Sequence, residues 1–224
     1  MPSRILVSLT LLAMSLLALP IAIANSASVS IVDGDTIDVD SKRIRLHGID
    51  APEAGQSCKK AGGGEWPCGR RAIEELEQLI GDESLNCNDL GTDDFGRTLS
   101  VCYLGPIDIN EVMVRNGFAW SFRKYASDYN DVEDQARKEQ LGVWQRTTQT
   151  PWEFRARRWE VAEQSAPDGC PIKGNISRNG RIYHAPWSPW YSRTKIDTSK
   201  GERWFCDEAE ATSAGWRAPF WGSR

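Results

Sequence analysis

Five charged residues spread over about sixty positions carry the chemistry of this sequence: Asp35, Arg45, Asp50, Glu53 and Arg97. They sit in Val32-Asp-Gly-Asp-Thr-Ile37, Arg45-Leu-His-Gly-Ile-Asp-Ala-Pro-Glu53 and Asp93-Asp-Phe-Gly-Arg97. Two carboxylates suit a hard cation, a third can activate water, and two guanidiniums can grip a phosphate. That is the equipment phosphodiester hydrolysis requires. No one segment establishes it. Asp33-Gly-Asp35 alone is an ordinary turn, and Asp93–Arg97 alone is a hairpin tip.

Short strands must position these groups. Val29–Val32 leads through a Gly34 turn to Thr36–Val39, then to Lys42–Ile49. There Ile44 and Leu46 alternate with Arg43, Arg45 and His47, so Arg45 points away from the apolar face. The spacing of Ala72, Ile73, Leu76, Leu79 and Ile80 predicts a helix over 69–80, stopped by Gly81. Strands over 85–87 and 98–104 flank the Asp93–Arg97 turn. A second helix is expected over 109–116. A third should begin at Ser127 as N-cap, bury Tyr129, Val132 and Ala136, and stop at Gly142. The expectation is a mainly β domain with α: an OB-like five-stranded barrel packed with about three helices.

The chain has 224 residues, enough for one ordinary domain and a small second one. Its expected divisions are a signal peptide over 1–24, a catalytic domain over 28–146, a linker over 147–168, a small module over 169–217 and a tail over 218–224. Met1-Pro-Ser-Arg4, an uncharged apolar run and the small-residue endings Ala22-Ile-Ala24 and Asn25-Ser-Ala27 describe the signal peptide, with cleavage expected after Ala24 and, as the second choice, after Ala27. A retained anchor is the rival reading, because the apolar run could span a bilayer. Six cysteines, an even number, fit an exported (secreted or periplasmic) protein. Proximity suggests the pairs 58–68, 87–102 and 170–206. Positions 87 and 102 are also symmetric about the Asp94-Phe95 turn. The formal charge is −4, and cleavage after Ala24 removes only Arg4, leaving −5. A broad basic surface for packing nucleic acid is therefore excluded; any attraction must be local and metal-assisted.

With Ile109-Asn-Glu-Val-Met-Val-Arg-Asn-Gly117 added, these motifs resemble, in order and spacing, the staphylococcal nuclease family over residues 29–145. The resemblance implies a Ca²⁺-dependent nuclease on an OB fold that cuts DNA and RNA. Asp35 and Asp50 would be metal ligands, joined by the main-chain carbonyl of Ala51. Glu53 would be the general base, and Arg45 and Arg97 would hold the phosphate. The family has Thr where this chain has Ala51; a carbonyl ligand survives that change. Pro52 stiffens the link between metal ligand and base. His47 shares the Arg45 face, but a lone surface histidine usually has no specific role.

Beyond Trp144 the composition changes. The basic-aromatic segment Pro151–Trp159 is expected to dock through Trp152 and Trp159 with its arginines in solvent. Cys170-Pro-Ile-Lys-Gly-Asn-Ile-Ser177 and Gly201-Glu-Arg-Trp-Phe-Cys206 resemble the sunset domain, which implies no reaction. Cys170, His184 and Cys206 are a poor zinc set, so a disulfide is expected there. Trp187, Trp190 and Tyr191 could stack on bases or pack in a small core. The leading reading is a monomeric nuclease with no membrane span after cleavage, its C-terminal module a possible envelope or ligand contact. Its rivals are a non-catalytic nucleic-acid- or protein-binding barrel and a cell-surface binding protein.

Overall fold

The computed structural model describes residues 28–40 and 42–221; the expected signal peptide lies outside them. The chain runs β1 (Val29–Asp33), β2 (Thr36–Val39), β3 (Lys42–Leu46), β4 (Ile49–Asp50), β5 (Cys58–Lys59), β6 (Glu65–Trp66) and α1 (Cys68–Ile80). It continues through β7 (Leu85–Thr92), β8 (Thr98–Leu104), β9 (Ile107–Asp108), α2 (Ile109–Arg115), β10 (Trp120–Ser121) and α3 (Asn130–Lys138). After a 3₁₀ turn at Gly142–Gln145 come α4 (Pro151–Glu163), β11 (Ile172–Ser177), β12 (Gly180–His184), β13 (Arg203–Phe205) and α5 (Glu208–Ser213).

The main sheet has the order β1-β2-β3-β8-β7, with β9 beside β8 and β3 parallel to β8. Mainly β with several helices, the architecture is consistent with the expected OB-like fold, but among the described residues the strands form open sheets and no five-stranded barrel. One departure from the expected strands is at Gly48. It takes φ +78°, a conformation few side chains tolerate, and the expected long strand 42–49 breaks there. Its second part, β4, leaves the sheet to pair with β10. The alternation read from sequence holds: Ile44 and Leu46 are buried with Ile31, Ile37 and Ile49 against Ala72, Ile73, Leu76 and Ile80 of α1. Ile109, Met113 and Val114 bring α2 onto the same core.

Asn110, fully buried, pins α2 to the strands. Its Nδ2 donates to the carbonyls of His47 (3.0 Å) and Ser100 (3.2 Å). The helix starts at Asp108, whose side chain accepts from Glu111 N. α3 begins later than expected, at Asn130, with no side-chain cap; Ser127 contributes only its carbonyl.

All three expected disulfides are present: Cys58–Cys68, Cys87–Cys102 and Cys170–Cys206. Cys87 and Cys102 face each other in the β7–β8 ladder, despite a bulge at Asp89/Gly91. In the C-terminal module, strands ordered β12-β11-β13 pack Ile172, Tyr183 and Phe205 on Ala211 and Trp216. The 147–168 segment, expected as a linker, contains the thirteen-residue helix α4. Trp221 of the expected tail packs on the main core, and its carbonyl accepts from Arg70 at 2.6 Å. No helix among the described residues is long and apolar enough to cross a membrane.

Candidate active site

Asp35 is the second residue of the β1–β2 turn and Asp50 ends β4; one guanidinium joins them. Arg45 of β3 pairs with Asp35 Oδ1 and, at 2.9 Å, with Asp50 Oδ1. Both carboxylates are buried, Asp50 completely. Asp35 Oδ2 accepts from the main-chain N of Ala51 at 2.6 Å, so the two positions are held as one unit. Gly34 allows this approach: a Cβ there would lie 2.8 Å from that of Ala51 and 2.9 Å from that of Ala72.

Glu53 is placed by its own loop. Its N–H donates to Gln56 Oε1 (3.2 Å), its carbonyl accepts from Gln56 N (2.7 Å), and Gln56 Nε2 donates to the carbonyl of Gln149 (2.7 Å). Gln56 is buried, and the Cys58–Cys68 bond ties the loop to the start of α1. Burial pushes the Glu53 carboxyl up to about 7, against the pull of the Arg155 guanidinium.

Arg97 sits at the β7–β8 hairpin, its Nε donating to Asp93 Oδ2 at 2.7 Å. Burial works against its charge, but Glu208 and Asp93 outweigh that and hold it above its ordinary value. For Arg45 the balance is reversed. Burial lowers it, and the neighbouring Arg97 and Arg155 charges add to that against the pull of Asp50. Asp35, Arg45, Glu53 and Arg97 line one cleft of about 970 Å³, with His47 on the same wall. Asp50 joins them through Arg45, and Ala51 lies buried behind.

Three site residues escaped the sequence reading. Arg155 was expected in solvent. Instead it crosses from α4 to donate to Asp50 Oδ1 (3.1 Å), Asp50 Oδ2 (2.7 Å) and Glu53 Oε1 (2.7 Å). The docking half of that expectation holds: Trp152 stacks on Phe122 and Trp159 lies against Trp187. Gln56 carried no motif. Glu208 comes from α5 and is raised by burial in spite of Arg97 and Arg155. The C-terminal module thus forms the far wall of the cleft, with Tyr183, Trp187 and Trp216. Of the possible stacking residues, Tyr191 is committed to packing, its OH donating to the carbonyl of Pro171 at 2.7 Å. Trp190 is exposed, edge-on to Trp221.

Residues 43–146, which contain four of the five charged residues, match the family model described as staphylococcal nuclease homologue. A micrococcal nuclease of Shigella flexneri is 35% identical over 146 residues, covering 57% of this chain and 78% of the relative. The chain belongs to the staphylococcal nuclease family. An uncharacterized endonuclease of Escherichia coli is 33% identical over 138 residues, covering 58% of this chain and 84% of its own length. One from Haemophilus influenzae is 31% identical over 123 residues, covering 52% of this chain and 64% of its own length. For the C-terminal part, the match over residues 158–218 is to a family described as ArfC, in place of the sunset domain its motifs resemble.

Proposed function

We propose that this family member is an exported, monomeric, Ca²⁺-dependent nuclease that hydrolyses phosphodiester bonds in DNA and RNA. The observation that carries the reading is the convergence of Asp35, Asp50, Glu53, Arg45 and Arg97, from separate segments, on one cleft. Export is supported by the three disulfides and the N-terminal apolar run.

The donor chemistry fits a hard cation: two adjacent buried carboxylates and a main-chain carbonyl, all oxygen. Among the described residues no group of three or more acidic, histidine or cysteine side chains is placed to hold a metal ion by itself, so solvent or substrate would complete the shell. Asp35, Asp50 and the Ala51 carbonyl would hold Ca²⁺, which supplies charge stabilisation at the phosphoryl oxygens when bound. Glu53 takes the proton from the attacking water; a base is needed because Ca²⁺ acidifies water little. Arg45 and Arg97 make charge-assisted hydrogen bonds to the equatorial oxygens as charge builds there.

One observation favours the rival binding module: Arg155 engages Asp50 and Glu53 together. Hydrolysis of DNA and RNA oligonucleotides by the disulfide-intact protein, with Ca²⁺ and with a chelator, separates the two. Ca²⁺-dependent turnover of both supports the nuclease. Binding without turnover at any Ca²⁺ level would establish the module.

A further inference from the structure

On α4, Trp152, Arg155 and Trp159 fall at i, i+3 and i+7, on one face. The helix is fixed at its start by Pro151 and a capping box, in which Thr150 and Glu153 bond reciprocally. Trp152 against Phe122 (5.7 Å between ring centroids) and Trp159 against Trp187 (6.2 Å) clamp the face on either side of Arg155. The guanidinium is thereby aimed at Asp50, which it holds through two parallel hydrogen bonds while also holding Glu53. A fork of this kind is the strongest pairing a carboxylate makes with a side chain. Arg155 lies outside residues 43–146 that match the nuclease family.

We propose that Arg155 is a built-in competitor for the cation, so that Ca²⁺ reaches Asp50 only by displacing the Arg155 guanidinium. The inference rests on the calcium reading of the site. The Arg155 fork engages both oxygens of Asp50, and a divalent cation placed there beside it would be a second positive charge a few ångströms away in a buried cleft, which repels strongly. α4 therefore sets the cation affinity of a site built by the strands. Displacement also releases Glu53 from its ion pair with Arg155, coupling cation entry to the freeing of the base.

The test is calorimetric titration of the full-length, disulfide-intact protein with Ca²⁺, comparing wild type, Arg155→Gln and the exposed same-helix control Arg157→Gln. Arg155→Gln should tighten the Ca²⁺ Kd by about tenfold or more, the equivalent of one charge-assisted hydrogen bond. Arg157→Gln should change it by less than about twofold, since an exposed charge is screened. An unchanged or weaker Kd in folded Arg155→Gln overturns the proposal, as does equal tightening in the control. Should Arg155→Gln not fold, wild type decides: the Arg155 guanidinium NMR signal, assigned by its loss in Arg155→Lys, must move on Ca²⁺ saturation. An unmoved signal overturns the proposal. Absence of Ca²⁺ binding in every variant overturns the calcium reading itself and this inference with it, an outcome distinct from measurable but equal affinities.

Discussion

Arg45 has two roles, and they separate experimentally. Before substrate binds it neutralises Asp35 and Asp50, two carboxylates buried side by side. Arg45→Ala leaves buried Asp35 without its guanidinium and Asp50 with that of Arg155 alone, which should cost about 3 kcal/mol of stability in chelator. Ca²⁺ should restore part of that loss by binding the folded state only. Urea unfolding of the variant, with and without Ca²⁺, measures both effects. The five charged residues were legible in the sequence because each sits in a short segment whose spacing constrains it. Arg155, Gln56 and Glu208 were not, because nothing local distinguishes an arginine aimed at Asp50 from one aimed at water. Their roles come from packing between segments some hundred residues apart.

The elements hold these residues through close backbone approach. Gly69, at the start of α1, lies so near the Glu53 carbonyl oxygen that a Cβ would sit 1.7 Å from it. Gly69→Ala must push the Glu53 loop away. Loss of about 2 kcal/mol and a fall of about tenfold or more in kcat are expected, read by thermal unfolding and initial rates. Thr150→Ala removes the α4 cap and should cost about 1 kcal/mol, measured in the same way. Periodicity located α1, α2 and the strands β1, β2, β3 and β8 because their apolar faces are packed on one core. It missed α4, whose apolar residues do not gather on one face and whose position is set by aromatic pairs. The Gly48 break was equally hidden, since a single glycine in a strand does not announce a change of sheet.

At the scale of the molecule, the C-terminal module closes one side of the nuclease cleft and depends on its own staple. Cys170–Cys206 closes a loop of 36 residues, worth about 4 kcal/mol in the chain-entropy model. Replacing both cysteines by Ser should destabilise the module by about that amount in urea. The module should also lose stability in acid. His184 is buried and bonded to Ser188, and burial, helped by Lys173, lowers it to about 4. The folded state therefore resists protonation that the unfolded chain accepts at its ordinary value. Its contribution is present in full above about pH 6.5 and is lost as pH falls towards 4, by about 3 kcal/mol. His184→Gln should flatten that part of the stability profile relative to wild type. Cysteine proximity made the disulfides legible, whereas the seating of the module on the cleft is a matter of shape that no spacing encodes.

The most direct test of the central claim is the single-turnover rate on a DNA oligonucleotide at saturating Ca²⁺ for wild type and Glu53→Gln, with the Ca²⁺ Kd measured on both. The account predicts cleavage by wild type that needs Ca²⁺. It also predicts a fall of about 10²–10⁴-fold in the variant with Ca²⁺ binding retained. Cleavage at the wild-type rate by Glu53→Gln, or by wild type in chelator, would contradict it.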